Sequence, residues 1–214
     1  MFLRGDDNVF RAEALHSLPW LQHGFGTRLS AGWPGNGVIA SAKQIHSDGV
    51  LVVETAGPQG EGDALISNRP GIGLTIRTAD CLPILIADPK NRAVAAIHAG
   101  WRGVVSEVAC KAIHAMCQQF GSKPEDLVIA IGPGIGACCF EVGPEVAIQF
   151  QLAGRTKVDL VETTCRQLRR IGVNDGQISA SGLCTYCNAE LFESYRRDKT
   201  EAGRMVAMIG RVKD

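Results

Sequence analysis

The sequence has no net charge, no long apolar run, no internal repeat and few aromatic side chains, which make up 6% of 214 residues. Its 22 basic residues balance its 22 acidic ones, so it lacks the electrostatic footprint that drives nonspecific binding to nucleic acid or to anionic membranes. No stretch approaches the roughly 18 consecutive apolar residues of a membrane span. Near the start, Arg4, Asp6 and Asp7 interrupt the segment where an export signal needs apolar residues. The expectation is a cytoplasmic protein with no nucleic-acid or membrane partner, present as a monomer or weak homodimer.

With 45% hydrophobic residues, the chain can bury one substantial core but is short for two independent ones, so a single domain over 1–214 is expected. There are eight cysteines. In a large chain without an export signal they read as reduced thiols, some of them metal-binding.

Short runs rich in β-branched residues predict strands over Val50–Val53, Ala64–Ile66, Ile72–Ile76, Leu82–Ile86, Ala93–Ile97 and Leu127–Ile131. Turn signals lie close between them, at Gly57-Pro58, Pro70-Gly71, Asp88-Pro89 and Asn91, which favours antiparallel neighbours over helical crossovers. From Val104 to Phe120, Val104, Val105, Val108, Ala109, Ala112, Ile113 and Met116 form one apolar stripe, predicting a helix packed on the sheet. Further helices are predicted over Pro144–Leu152, Leu160–Ile171 and Asn188–Tyr195, and a turn-rich loop over Ser30–Gly37.

Three segments place a metal-ligand type where sheet meets loop: His46 in KQIH, Cys81 in TADC and His98 in AIHAGW. Two imidazoles and one thiolate would hold tetrahedral zinc with one position open, the arrangement of a catalytic rather than a structural site. On spacing alone, a lone histidine on an apolar strand is more often a satisfied core residue than a ligand. Cys184 and Cys187 have the two-residue spacing of a zinc half-site or redox pair, but the adjacent Cys138 and Cys139 are poorly spaced to complete it, so packing or an occasional disulfide is expected there. Gly132-Pro-Gly-Ile-Gly136 lacks the Lys-Ser/Thr of a phosphate-binding P-loop and reads as a tight turn.

The strings HGFGTR, KQIHSDGV, TADCLPILIAD, AAIHAGWRG, IGPGIGACCFEVG and SYRRD, in this order, make the chain similar to the bacterial YfiH family, also called the multicopper polyphenol oxidase or laccase-domain family. The resemblance runs from about Gly24 to Met205. It implies an α/β (α+β) layered sandwich, with a central mixed, largely antiparallel β layer flanked by helices. It also implies a zinc ion held by His46, Cys81 and His98. The activities it implies are phosphorolysis of purine nucleosides, including methylthioadenosine, and deamination of adenosine; bacterial members are also described as peptidoglycan editing factors.

Phosphorolysis needs groups that hold an anion and stabilise the departing base. Arg28 is the first candidate for gripping phosphate or sugar oxygens, because a guanidinium matches them bidentately, although it reads equally as exposed surface charge; Arg102, four residues after His98, could point at the site but leans toward a structural role beside the next helix. Gln44 lies two residues before His46 and would share its face if the segment is extended, offering an amide to a purine edge or sugar hydroxyl. Deamination needs an activated water and a proton-shuttling carboxyl, and Asp80 is the nearest in sequence; Asp80 reads equally as a residue that holds its loop or orients a ligand.

Several alternatives use the same atoms. Copper is less suited than zinc, because five histidines are too few for a multicopper cluster and a single blue-copper site has no evident axial methionine. A cysteine hydrolase acting on cell-wall precursors would use Cys81 as nucleophile and His98 as base. A non-catalytic zinc module would need a partner over the open position. The chain departs from the family pattern in having only Leu29 to Lys43 between the GFGTR and QIH strings, where members carry a longer segment, and in carrying Thr164 and Glu193 at positions where members have asparagine and an aromatic.

Overall fold

The computed structural model describes residues 1–35 and 37–213. The expected loop over Ser30–Gly37 is a run of turns where described, and its Asn36 lies outside the described residues.

In chain order the strands are β1 (Phe2–Arg4), β2 (Phe10–Ala12), β3 (Leu21–Phe25), β4 (Ile39–Lys43), β5 (Val50–Val52), β6 (Gly57–Glu61), β7 (Ala64–Ser67), β8 (Gly73–Thr78), β9 (Leu82–Asp88), β10 (Ala93–Ala99), β11 (Val128–Ile131), β12 (Glu141–Val142), β13 (Thr156–Lys157), β14 (Ile178–Ala180) and β15 (Met205–Arg211). The α-helices are α1 (Glu13–His16), α2 (Trp101–Val105), α3 (Val108–Phe120), α4 (Pro144–Ala147), α5 (Leu160–Arg170) and α6 (Tyr195–Asp198).

The strands form two large sheets, ordered β1-β2-β3-β15-β8-β4-β6 and β14-β11-β9-β10-β7-β5, with β12-β13 as a small ribbon. Most pairs are antiparallel, while β4 pairs in parallel with β6 and β8, β5 with β7, and β11 with β14. This is the mixed, largely antiparallel sandwich the sequence leads one to expect, with the refinement that its β layer is two sheets deep.

The reason lies in β9 and β10, every residue of which is buried. Successive side chains on a strand point to opposite faces. Leu82, Ile84 and Ile86 meet Val108, Ala112, Ile113 and Met116 of α3, whereas Leu85 and Ala87 pack on Leu74, Ile76 and Ile209 of the other sheet. The same strands thus serve two cores, and each fully buried Leu or Ile contributes about 1.5–3 kcal/mol.

Three helical expectations change in detail. The Val104–Phe120 segment is two helices, because Glu107 takes a left-handed φ of 60° between them, and the Val104 carbonyl accepts the Glu107 amide at 3.1 Å together with a 2.8 Å hydrogen bond from Gln167 of α5. The Pro144 helix is one α-turn, α4, followed by a 3-10 turn over Ile148–Phe150. The helix expected over Asn188–Tyr195 is instead a run of turns that buries Phe192; α6 starts only at Tyr195, where the Ser194 hydroxyl caps the Arg197 amide. The helix expected to end at Ile171 is α5.

Candidate metal centre

Strand register assembles the site. In the second sheet β10 lies between β9 and β7, with His98 opposite Pro83 and Ile97 opposite Ala64. Cys81, just before β9, and Asp63, just before β7, therefore both come to lie beside His98 at one end of the sheet. His46 arrives from the other sheet, on the loop that leaves β4. The ligand atoms of His46, Cys81 and His98 lie within 4.8 Å of one another. The two imidazole rings stand edge to face, 4.9 Å apart.

Asp63, which the sequence reading did not single out, organises this arrangement. Its carboxylate is fully buried. It accepts hydrogen bonds from the consecutive amides of Ile45 at 3.2 Å, His46 at 3.0 Å and Ser47 at 2.6 Å, and from the Ser47 hydroxyl at 2.7 Å. Three amides on one carboxylate curl the loop and hold His46 at a φ of 59°, a conformation that costs free energy in isolation. The same carboxylate accepts from Nδ1 of His98 at 2.7 Å, which fixes that ring and leaves its Nε2 for the site. An Asp ahead of a strand reads as an ordinary turn residue, and only the pairing of β7 with β10 reveals its role.

The electrostatics follow from these contacts. Burial pushes the Asp63 carboxyl up, but His98 and Ser47 outweigh it and hold it at about 2. Burial pushes His98 down, but Asp63 and then Cys81 hold it up at about 9. Burial raises the Cys81 thiol, yet His46 and His98 bring it down to about 7. A thiol so poised becomes a thiolate ligand or nucleophile near neutrality.

Gly100 completes the cradle. A Cβ there would lie 2.9 Å from Cys81 Sγ and 3.1 Å from His46 Cδ2, so the bare backbone is what lets the thiol and ring approach. The donor set of two imidazoles and a thiolate, oriented by a buried carboxylate, fits a divalent cation with an open position.

The ligands face a cavity of about 1150 Å³. Arg77, Arg102, Arg196, Lys199 and Arg204 line it against three carboxylates, Asp80, Glu141 and Glu145, so the pocket carries surplus positive charge that the whole chain does not. Three of the chain's few aromatics, Trp101, Phe140 and Tyr195, also line it. The Arg102 guanidinium lies 4.3 Å from the Trp101 ring centre, and that of Arg196 lies 5.3 Å from Phe140.

The other candidate residues divide. Arg102, Gln44 and Asp80 line the cavity, whereas Arg28 does not: its guanidinium bonds the Ala189 carbonyl at 2.7 Å and pairs with Glu193. Gln44 spends both ends of its amide on the Arg77 backbone, at 2.8 Å each, and so holds the β8 edge. Asp80, at a φ of 86°, accepts from the Thr185 hydroxyl and from the Arg196 amide, both at 2.6 Å. Its two oxygens thus tie the 184–198 segment against the cavity.

Comparison with known proteins agrees with this picture. Residues 28–212 match the family described as multi-copper polyphenol oxidoreductase laccase. The chain is 41% identical over 183 residues to a purine nucleoside phosphorylase of Deinococcus radiodurans, a match covering 80% of this chain and 70% of that protein. It is 36% identical over 181 residues to the Escherichia coli purine nucleoside phosphorylase YfiH, covering 78% and 71%. The crystal structure of the Bacillus licheniformis hypothetical protein YfiH superposes with a TM-score of 0.87 at 27% identity, over 99% of each chain. YlmD from Geobacillus stearothermophilus superposes with a TM-score of 0.88 at 26% identity, again over 99% of each chain. No helix among the described residues is long and apolar enough to cross a membrane.

Proposed function

Because the chain belongs to the YfiH family of laccase-like proteins, we propose that it is a metal-dependent purine nucleoside phosphorylase in which His46, Cys81 and His98 hold a zinc ion. The observation that carries this reading is the convergence of those three residues at the wall of a cavity whose lining also includes five cationic side chains and three aromatic rings. Relatives 41% and 36% identical bear that activity in their names.

When bound, the ion would supply Lewis acidity and positive charge beside the reacting centre. The chain's own groups account for the rest. Phosphorolysis breaks the glycosidic C–N bond, forms a C–O bond from phosphate to the sugar, and releases the base with a proton on its nitrogen. Arg77, Arg102, Arg196, Lys199 and Arg204 surround the space that a phosphate dianion would enter, and guanidinium forks suit its oxygens. Trp101, Phe140 and Tyr195 offer flat apolar faces to a purine. Asp80 acts in this reading as a positioning residue, since both its oxygens are engaged in holding the Arg196 segment. Zinc suits the site better than copper, because among the described residues no methionine lines the cavity to serve as an axial ligand.

Purified protein given inosine or adenosine should release free base and ribose-1-phosphate only when phosphate is present, as followed by chromatography, and Cys81→Ala should abolish both release and metal at this site. Absence of base at every phosphate concentration would remove phosphorolysis. Conversion of adenosine to inosine without phosphate would move the assignment to deamination. The lowered Cys81 thiol beside His98 also fits a cysteine hydrolase; activity that survives complete chelation of metal would favour that reading.

A further inference from the structure

The sequence suggested packing or a disulfide for Cys184 and Cys187, and the fold gives them different company. Cys138 and Cys139 lie in the turn that carries the chain from β11 to β12, and Cys184 and Cys187 in the loop after β14. These two segments run side by side: Gly134 bridges Cys184 in parallel, and the Thr185 amide donates to the Gly134 carbonyl at 3.0 Å. The sulfurs of all four cysteines lie within 4.8 Å of one another, Cys139 and Cys187 at 3.3 Å and Cys138 and Cys187 at 3.7 Å. All four are free thiols.

Packing does not account for the cluster, because Cys138 and Cys187 are exposed. Its dimensions match an ion instead: a tetrahedral cation with metal–sulfur bonds of about 2.3 Å has sulfur–sulfur edges of about 3.8 Å. The surroundings favour a thiolate at Cys184. The Gly136 amide donates to Cys184 Sγ at 3.3 Å, and the amides of Tyr186 and Cys187 also bond to this sulfur. Arg197, itself paired with Asp198 at 2.8 Å, donates to the carbonyls of Thr185 at 3.1 Å and Tyr186 at 3.2 Å and so fixes the backbone of the same loop.

The geometry points to a second metal centre, in which Cys138, Cys139, Cys184 and Cys187 together hold one divalent cation of the zinc class. Four protein ligands leave no open position, so this centre is closed and structural, unlike the one at His46, Cys81 and His98. Binding displaces the thiol protons to solvent. The ion ties together two walls of the cavity: the Ile135–Phe140 turn on one side, and on the other the segment that brings Thr185 to Asp80 and places Tyr195 and Arg196 at the rim. The inference stands on the cysteine cluster alone and is independent of the reaction catalysed.

The test is metal analysis of protein purified anaerobically with reductant and supplied zinc. Wild type should carry about two ions per chain, and Cys187→Ser about one. Cys81→Ala keeps all four clustered thiols and should retain about one ion, so this arm holds even if variants in the cluster fail to fold. Replacing zinc by Co2+ in Cys81→Ala should give the intense sulfur-to-cobalt charge-transfer absorption of a tetrathiolate site, and adding Cys187→Ser should remove it. A Cys81→Ala chain that holds no metal and shows no such absorption overturns the proposal. So does freshly isolated wild type in which mass analysis finds Cys187 in a disulfide with Cys138 or Cys139 and metal analysis finds no second ion.

Discussion

Asp63 does at the scale of one residue what no metal ligand can do for itself. His46 comes from a loop and His98 from a strand of a different sheet, and this carboxylate hydrogen-bonds to both segments, through His46 N and His98 Nδ1. Asp63→Asn keeps the shape but replaces one acceptor oxygen with a donor, which must then face an amide or the His98 ring. Metal affinity at the His46, Cys81 and His98 site should fall about 10–100-fold, the usual effect of losing the group that orients a ligand histidine. Competition against a chelator of known affinity measures this, and unchanged affinity would show that the two histidines are held by packing alone. The three clustered residues stood out in the sequence because each lies in a string that resembles a family motif, whereas Asp63 looks like any polar residue before a strand. Arg28 misled for the converse reason: its string resembles the family's, but its guanidinium is consumed by Ala189 and Glu193, which only the folded chain brings near.

At the scale of elements, β9 and β10 were legible because unbroken apolar runs bounded by turn signals admit few other readings, and burial on both faces bears this out. The strands β6, β12 and β13 are short and polar, and their pairing comes from the partner strand rather than from their own pattern. The apolar stripe of Val104–Phe120 was read correctly on α3, but periodicity does not register a single left-handed residue, and the break at Glu107 is what separates α2 from α3. The junction of β10 with α2 matters most for chemistry. There Gly100 is the N-cap of α2 and lets the strand end, the Cys81 thiol and the His46 ring crowd together. Gly100→Ala is compatible with its φ of −71°, so backbone strain is not at issue; the new methyl would instead push into Cys81 Sγ at 2.9 Å. Overpacking of this kind costs about 1–3 kcal/mol, here levied on the ligand geometry, so metal affinity and turnover should drop together about 10- to 100-fold. Metal content and base release assayed side by side check this; loss of turnover with full metal occupancy would assign Gly100 to substrate space instead.

For the whole molecule, equal numbers of acids and bases mean that stability against pH is set by individual buried groups rather than by net repulsion. Three of these titrate in separate windows. Asp63, held at about 2 against an ordinary 3.8, contributes stability that is lost only as pH falls through that low range. His98, held at about 9, contributes stability that is complete below its ordinary 6.5 and is lost as pH rises towards 9. His23 has the opposite sign. It lies 3% exposed in β3, and burial, then the nearby His16 and Arg11, push it down from 6.5 to about 4, while its Nε2 accepts the Ala12 amide at 3.0 Å and so favours the neutral ring. Between pH 6.5 and 4 the unfolded chain therefore binds a proton at this residue that the folded chain refuses, so folding weakens as pH falls, by about 3 kcal/mol at the bottom of the window. The other two groups hold constant protonation differences across most of that interval, which isolates the histidine. His23→Gln retains an acceptor for the Ala12 amide but cannot titrate, so its denaturation free energy should be nearly flat from pH 6.5 to 4.5 while that of wild type declines. Denaturant titrations of both chains in excess chelator, which removes metal release from the comparison, measure the difference, and parallel declines would show that acid opens this fold elsewhere.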